Sequence, residues 1–101
     1  MKSIIQSEKR CLICKSEGTF YEPLDEHHVF GGALRPISEK YGLTVYLCHN
    51  KCHIFGERAV HVNHSTDVQI KRYAQKKAMK VYGWTTEEFR EHFRKNYLEE
   101  V

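Results

Sequence analysis

Glycine and proline are scarce, at six and two residues in a chain of 101, which excludes a collagen-like chain. No low-complexity tract, internal repeat or linker divides the sequence. Long apolar runs are missing too. Leu43–Leu47 is representative of the longest, far short of the roughly 18–20 residues that a membrane span needs. Met1–Gln6 has one lysine and two isoleucines before the chain turns polar, which is not the pattern of a signal peptide. The expectation is a chain that neither spans a membrane nor is secreted, with Met1–Arg10 as a loosely held polar lead-in. A charge of one sign is absent from the first half, where six basic side chains balance six acidic ones over residues 1–50.

What is there is an ordinary globular composition, 41% hydrophobic, 29% charged and 12% aromatic, enough for one domain. A domain of this size buries only about 60–65% of its extended-chain surface, so a metal or disulfide would add needed stability. The net charge of +3 comes wholly from residues 51–101, which carry ten basic and seven acidic side chains. Within them Val68–Tyr82 holds Lys71, Arg72, Lys76, Lys77 and Lys80 and no acid. Such a segment suits a polyanion such as DNA or RNA, or is simply a solvated helix face.

Local patterns give a coarse secondary structure. Thr19–Leu24 reads as a short strand broken by Pro23, Arg35 as extended because proline follows it, and Ser38–Gly42 as a turn. Leu43–Leu47 alternates apolar and polar residues, the pattern of a half-buried strand. A helix could begin near Cys52, weakened by Gly56. Further on, Ser65 or Thr66 can cap a helix whose one face carries Ile70, Tyr73, Ala74, Ala78, Val81 and Tyr82, ended by Gly83. Thr85 and Glu88 make a capping box for a second helix with Phe89, Phe93 and Tyr97 as its buried stripe.

Four cysteines and seven histidines are the unusual content. Cys11 and Cys14 form a CxxC pair; Cys48 and Cys52 form a second pair with three residues between them. Zinc takes four tetrahedral thiolate or imidazole ligands, and tight turns let such pairs reach one ion. A structural zinc on Cys11, Cys14, Cys48 and Cys52 follows, with His49 as a substitute ligand for the looser second pair. Zinc would supply folding free energy that so small a core lacks. Free or disulfide-bonded thiols are the other reading.

Histidines cluster around the second cysteine pair. His27 and His28 are adjacent, preceded by Asp25 and Glu26; on an extended segment they point to opposite sides, so one can face a metal and the other a substrate. His53 follows Cys52 directly, and His61 lies eight residues further on.

These residues resemble the HNH endonucleases of the treble-clef, ββα-metal (His-Me finger) type. The finer similarity is to a small, phage-associated HNH group. It rests on His27–Gly32, Arg35, Ser38, Lys40–Leu43, Val45, Leu47–Cys48, Cys52–His53, Val60–His61, Asn63 and Phe93–Leu98, and spans residues 11–98. The resemblance implies an α+β fold: a treble-clef zinc finger with a ββα-metal hairpin over residues 11–64, then a basic part with two α-helices over 65–101, all in one domain 1–101. It implies a DNA endonuclease in which His28 is the general base and His27 and His53 hold a catalytic divalent ion, with His61 as third ligand or phosphate contact. That ion would be magnesium or manganese, with nickel or zinc also accepted by imidazoles. It would neutralise charge on the scissile phosphate and leave 5′-phosphate and 3′-hydroxyl ends.

The residue that usually stands just ahead of the Leu-Cys strand has no clear counterpart, which leaves the orientation of His28 open. Because Gly56 interrupts the expected helix, Glu57 competes with His61. The resemblance also implies DNA contacts from basic residues around the site, here Arg35, Lys40, Lys51 and Arg58, and along the helix, here Lys71, Arg72, Lys76, Lys77 and Lys80. No base-reading helix can be assigned, so weakly specific cleavage is expected, or specificity from a protein partner. The place of action would be the cytoplasm, that of a bacterial host if the chain is phage-encoded. The alternative is a non-catalytic treble-clef module binding nucleic acid or a protein.

Overall fold

The computed structural model describes residues 2–98; Met1, where the lead-in begins, and residues 99–101, at the end of the basic helical part, lie outside them. In chain order come strand β1 (Leu24–His28), a 3-10 turn (Gly32–Leu34), helix α1 (Arg35–Lys40), strand β2 (Thr44–Cys48), a π-helical turn (His49–Ile54), and helices α2 (His64–Tyr82) and α3 (Thr86–Phe93). The chain is a small α+β protein. β1 and β2 pair antiparallel, with Leu24 opposite Cys48 and His28 opposite Thr44. No helix among the described residues is long and apolar enough to cross a membrane.

Several local expectations are corrected. Ser38–Gly42 is not a plain turn, because α1 occupies Arg35–Lys40. Arg35 is helical (φ −55°, ψ −46°) rather than extended. The 3-10 turn runs straight into α1, and Pro36 sits where a helix start needs no N–H, so its ring helps there instead of breaking the turn. The buried Ser38 hydroxyl donates to the Leu43 carbonyl at 2.6 Å and pins α1 to the start of β2. Phe20 and Tyr21 do not form a strand but stand in a bend, exposed. The lead-in is not loose: Ser3 Oγ donates to the Thr44 carbonyl, Ile4 N–H to the Gly42 carbonyl, and Gln6 Oε1 accepts from Tyr46 N–H. It lies along the outer edge of β2 and satisfies backbone groups an edge strand would leave open.

Helix α2 starts at His64, two residues earlier than a cap at Ser65 would place it, because Asn63 caps it by accepting from Thr66 N–H at 3.0 Å. It ends at Gly83 in the left-handed region (φ +68°). Ile70, Ala74 and Ala78 are buried as the periodicity predicts, whereas Tyr73 and Val81 are about half exposed. The capping box of Thr85 and Glu88 is present at α3. That helix stops at Phe93, so Tyr97 joins the aromatic cluster from beyond it.

The core joins both parts of the chain. Phe30, from the β1–α1 connection, is 1% exposed and lies with its ring centroid 4.6 Å from Phe93, 5.7 Å from Phe89 and 5.3 Å from Tyr97. Leu43, Val45 and Leu47 of the sheet region and Ile70, Ala74 and Ala78 of α2 complete it. Removing the Phe30 ring opens a cavity at the point where sheet and helices meet. Phe30→Ala is expected to destabilise the protein by about 3–5 kcal/mol, read as a lower urea midpoint with an unchanged slope.

Candidate metal centres and the histidine pocket

The first pair of cysteines lies on a tight turn in which Lys15 N–H donates to the Cys11 carbonyl at 2.9 Å. Leu12 N–H donates to the Tyr46 carbonyl at 2.8 Å, which docks this turn on β2. The second pair brackets the end of β2 and the π-helical turn. A π turn is wider than an α turn, which accommodates the additional residue between Cys48 and Cys52. The ligand atoms of Cys11, Cys14, Cys48 and Cys52 all lie within 4.8 Å of one another. All four are free thiols, and Cys14 and Cys48 Sγ stand 3.3 Å apart, near the roughly 3.8 Å expected between thiolates on one tetrahedral zinc.

Electrostatics fit the same purpose. Burial raises the Cys11 thiol, but the backbone N–H groups of Cys14, Cys48 and Ile13 stabilise its thiolate and bring it down to about 7. Burial and the neighbouring sulfurs push Cys48 up to about 12 and Cys52 up as well. A divalent cation relieves this repulsion, so the four-cysteine cluster could hold a metal ion such as zinc. His49 takes no part in it; its Nδ1–H donates to Asp25 at 2.6 Å.

A second convergence lies at the end of the sheet. The ligand atoms of His27, His53 and His61 all lie within 4.8 Å of one another. Their ring centroids are 5.1 Å (His27–His53), 5.5 Å (His27–His61) and 4.7 Å (His53–His61) apart. Three elements deliver them: β1 carries His27, the π turn carries His53, and the loop before α2 returns His61. That return depends on Gly56. A Cβ there would stand 1.9 Å from the Lys51 carbonyl oxygen, and the tight path lets Val60 N–H bond the Cys52 carbonyl and His61 N–H the His53 carbonyl. Glu57 stays exposed and outside the cluster. The glycine that breaks the expected helix thus selects His61 over Glu57.

The nitrogens could serve as donors to a cation. His27 is 8% exposed, and its Nε2 is buried without a hydrogen-bond partner among the described residues. Burial, followed by the nearby His53, His61 and His28, lowers its pKa to about 3, so the ring is neutral at pH 7 with no proton competing for the site. His53 Nδ1–H donates to Asp25 Oδ2 at 2.8 Å, because an ionised carboxylate only accepts. This places the lone pair of His53 on Nε2, which faces His61 Nε2 at 3.1 Å. Two imidazoles on one tetrahedral ion would place their nitrogens about 3.3 Å apart. Burial would raise the Asp25 carboxyl, but the hydrogen bonds from His49 and His53 outweigh it and hold it below the usual range.

His28 lines the same open pocket of about 440 Å³ as His27 and His61, together with Asp67 and Lys71. Its Nε2–H donates to Glu39 Oε2 at 2.9 Å, so the neutral ring carries its lone pair on Nδ1. The hydrogen bond from His28 is the largest influence lowering the Glu39 carboxyl. Sequence reasoning missed Asp25 and Glu39 as site residues. Asp25 was detectable, because strand alternation places it on the same side as His27. Glu39 lies eleven residues from His28 on a helix that the sequence pattern does not disclose.

The basic candidates are dispersed. Lys71 lines the histidine pocket, paired with Asp67 at 2.8 Å. Arg72 lines a groove between α2 and α3. Arg58 lies beside Leu12 and Ile13, near the cysteine turn. Arg35, Lys40, Lys51 and Lys76 are exposed and line none of these recesses.

No family model, no curated protein and no solved structure matches this chain. The purified protein is expected to carry one tightly held zinc per chain, measured by elemental analysis. Cys52→Ser should lose it and unfold, since a structural zinc contributes on the order of 10 kcal/mol. Gly56→Ala should keep the zinc but displace His61, read as lost weaker binding of a second ion such as cobalt.

Proposed function

We propose that this chain is a divalent-metal-dependent HNH-type endonuclease that hydrolyses DNA phosphodiester bonds, built on a treble-clef zinc finger with its ββα-metal hairpin. One observation carries the reading: the ligand atoms of His27, His53 and His61 converge, and His27 and His61 line a pocket that His28 also lines, beside a separate four-cysteine cluster. A module that only binds a partner has no use for a buried imidazole whose Nε2 lacks a hydrogen bond. In the pocket, His27, His53 and His61 would hold the ion, which when bound would draw charge from the scissile phosphate and the leaving oxygen. Three imidazoles without a carboxylate favour nickel or zinc over magnesium and manganese, which prefer oxygen ligands.

His28 is the general base. Glu39 accepts its Nε2–H and so keeps the lone pair on Nδ1, where it can take a proton from water at neutral pH. The oxygen of that water attacks phosphorus as the bond to the 3′-oxygen breaks, and the leaving 3′-oxygen takes a proton from solvent water, giving a 5′-phosphate and a 3′-hydroxyl. Asp25 acts through His53, holding its ring by the Nδ1–H bond. Lys71, at the rim, offers positive charge to the phosphate chain. Reduced thiols suit the cytoplasm as the place of action.

Nicking of a supercoiled plasmid tests the reading, with manganese, nickel, zinc and magnesium compared. The wild type should nick with at least one of them. His28→Ala should lower the rate by about 10²–10⁴ with zinc content and thermal unfolding unchanged. Asp25→Asn should weaken binding of the second ion about 10–100-fold, read by titration. A folded, zinc-loaded wild type that nicks with none of these ions would overturn the enzyme in favour of a binding module.

A further inference from the structure

A groove of about 910 Å³, larger than the histidine pocket, lies between the first half of α2 and the end of α3. Arg72, Arg90, Arg94 and Lys95 line it, and no aspartate or glutamate among the described residues does. All four cations are exposed. Arg90 is paired with Glu87 at 3.0 Å; gathering Arg72, Arg94 and Lys95 beside it on one concave surface raises their mutual repulsion, which a polyanion would relieve.

Two features indicate that the groove is built for a ligand and is not an accident of surface charge. Arg94 holds the left-handed conformation that ends α3, with φ at +69°. That position ordinarily belongs to glycine, and a side chain there costs about 1 kcal/mol. Lys15 takes the same conformation in the cysteine turn, but Arg94 stands at the edge of a basic groove, where retaining a strained arginine is consistent with a use for its guanidinium. Arg72 is held in place, its Nε–H donating to the Tyr97 carbonyl at 2.8 Å. The groove also meets the histidine pocket: His64 lines both. A chain of phosphates lying in the pocket would pass His64 and enter the groove.

We infer that the α2–α3 groove, through Arg72, Arg94 and Lys95, holds the sugar–phosphate backbone of a DNA duplex beside the bond cleaved in the histidine pocket. The choice of DNA and the placement relative to the cleaved bond rest on the nuclease reading; the binding of a polyanion does not. Affinity then comes from the junction of α2 and α3, and the lysines further along α2 contribute little.

Fluorescence anisotropy with a short DNA duplex and the zinc-loaded His28→Ala chain tests this without cleavage. Arg94→Gln/Lys95→Gln should weaken binding at least tenfold at low salt and reduce the slope of log K against log salt by about 2. Lys77→Gln/Lys80→Gln removes the same charge and should change affinity less than twofold. Arg94→Gly should raise the melting temperature by relieving backbone strain while still weakening binding, which separates the ligand role from folding. Equal effects of the two double variants, or none from the groove pair, would overturn the inference. So would a parent chain that binds no duplex at low salt. Tight, groove-dependent binding by a wild type that never nicks would sink the nuclease reading and leave the groove standing.

Discussion

Four sulfur atoms from two distant parts of the chain must meet at one point, and the rest of the structure depends on that constraint. The turn at Cys11–Cys14 docks on the edge of β2, and the turn at Cys48–Cys52 begins where β2 ends. Fixing both fixes the direction in which the chain leaves the sheet. His53, immediately after the last cysteine, is therefore held beside β1 with little freedom of its own. In a domain with this little buried surface, an ion at the sulfurs would substitute for the core that a larger protein would have.

Strand alternation then divides the chemistry of β1. Asp25 and His27 lie towards the π turn, whereas Glu26 and His28 lie on the opposite side. The two carboxylates that matter act in opposite senses. Asp25 takes the Nδ1 proton of His53 and leaves Nε2 open, while Glu39 takes the Nε2 proton of His28 and leaves Nδ1 open. Neighbouring rings of one chemical type are thereby given different tautomers.

Much of this was legible in the residues, for reasons that can be stated. The CxxC pair, the capping box at Thr85 and Glu88, the stop at Gly83 and the strand ending in Cys48 are local signals, complete within a few positions. The convergence of His27, His53 and His61 followed from a resemblance, and the fold brings those three together. Less legible were features set by distant partners. The lead-in looks loose because nothing near it in sequence shows that β2 needs its edge covered. α1 looks like a turn because its stability comes from Ser38 reaching Leu43, not from helix propensity. Gly56 reads as a helix breaker, and only the position of the Lys51 carbonyl shows that a tight return to His61 requires it.

The sequence by itself determined the two cysteine pairs and the helices of the second half, because each depends on spacing over a few neighbouring positions. Tertiary structure alone decided which carboxylate orients which imidazole, that His61 and not Glu57 reaches the cluster, and that Arg72, Arg94 and Lys95 share one groove. The hydrogen bonds among these contacts join residues 11 to 28 positions apart. No local pattern specifies them, since only packing around the sulfur cluster and the Phe30 core sets the distances at which a hydrogen bond or a shared charge can form.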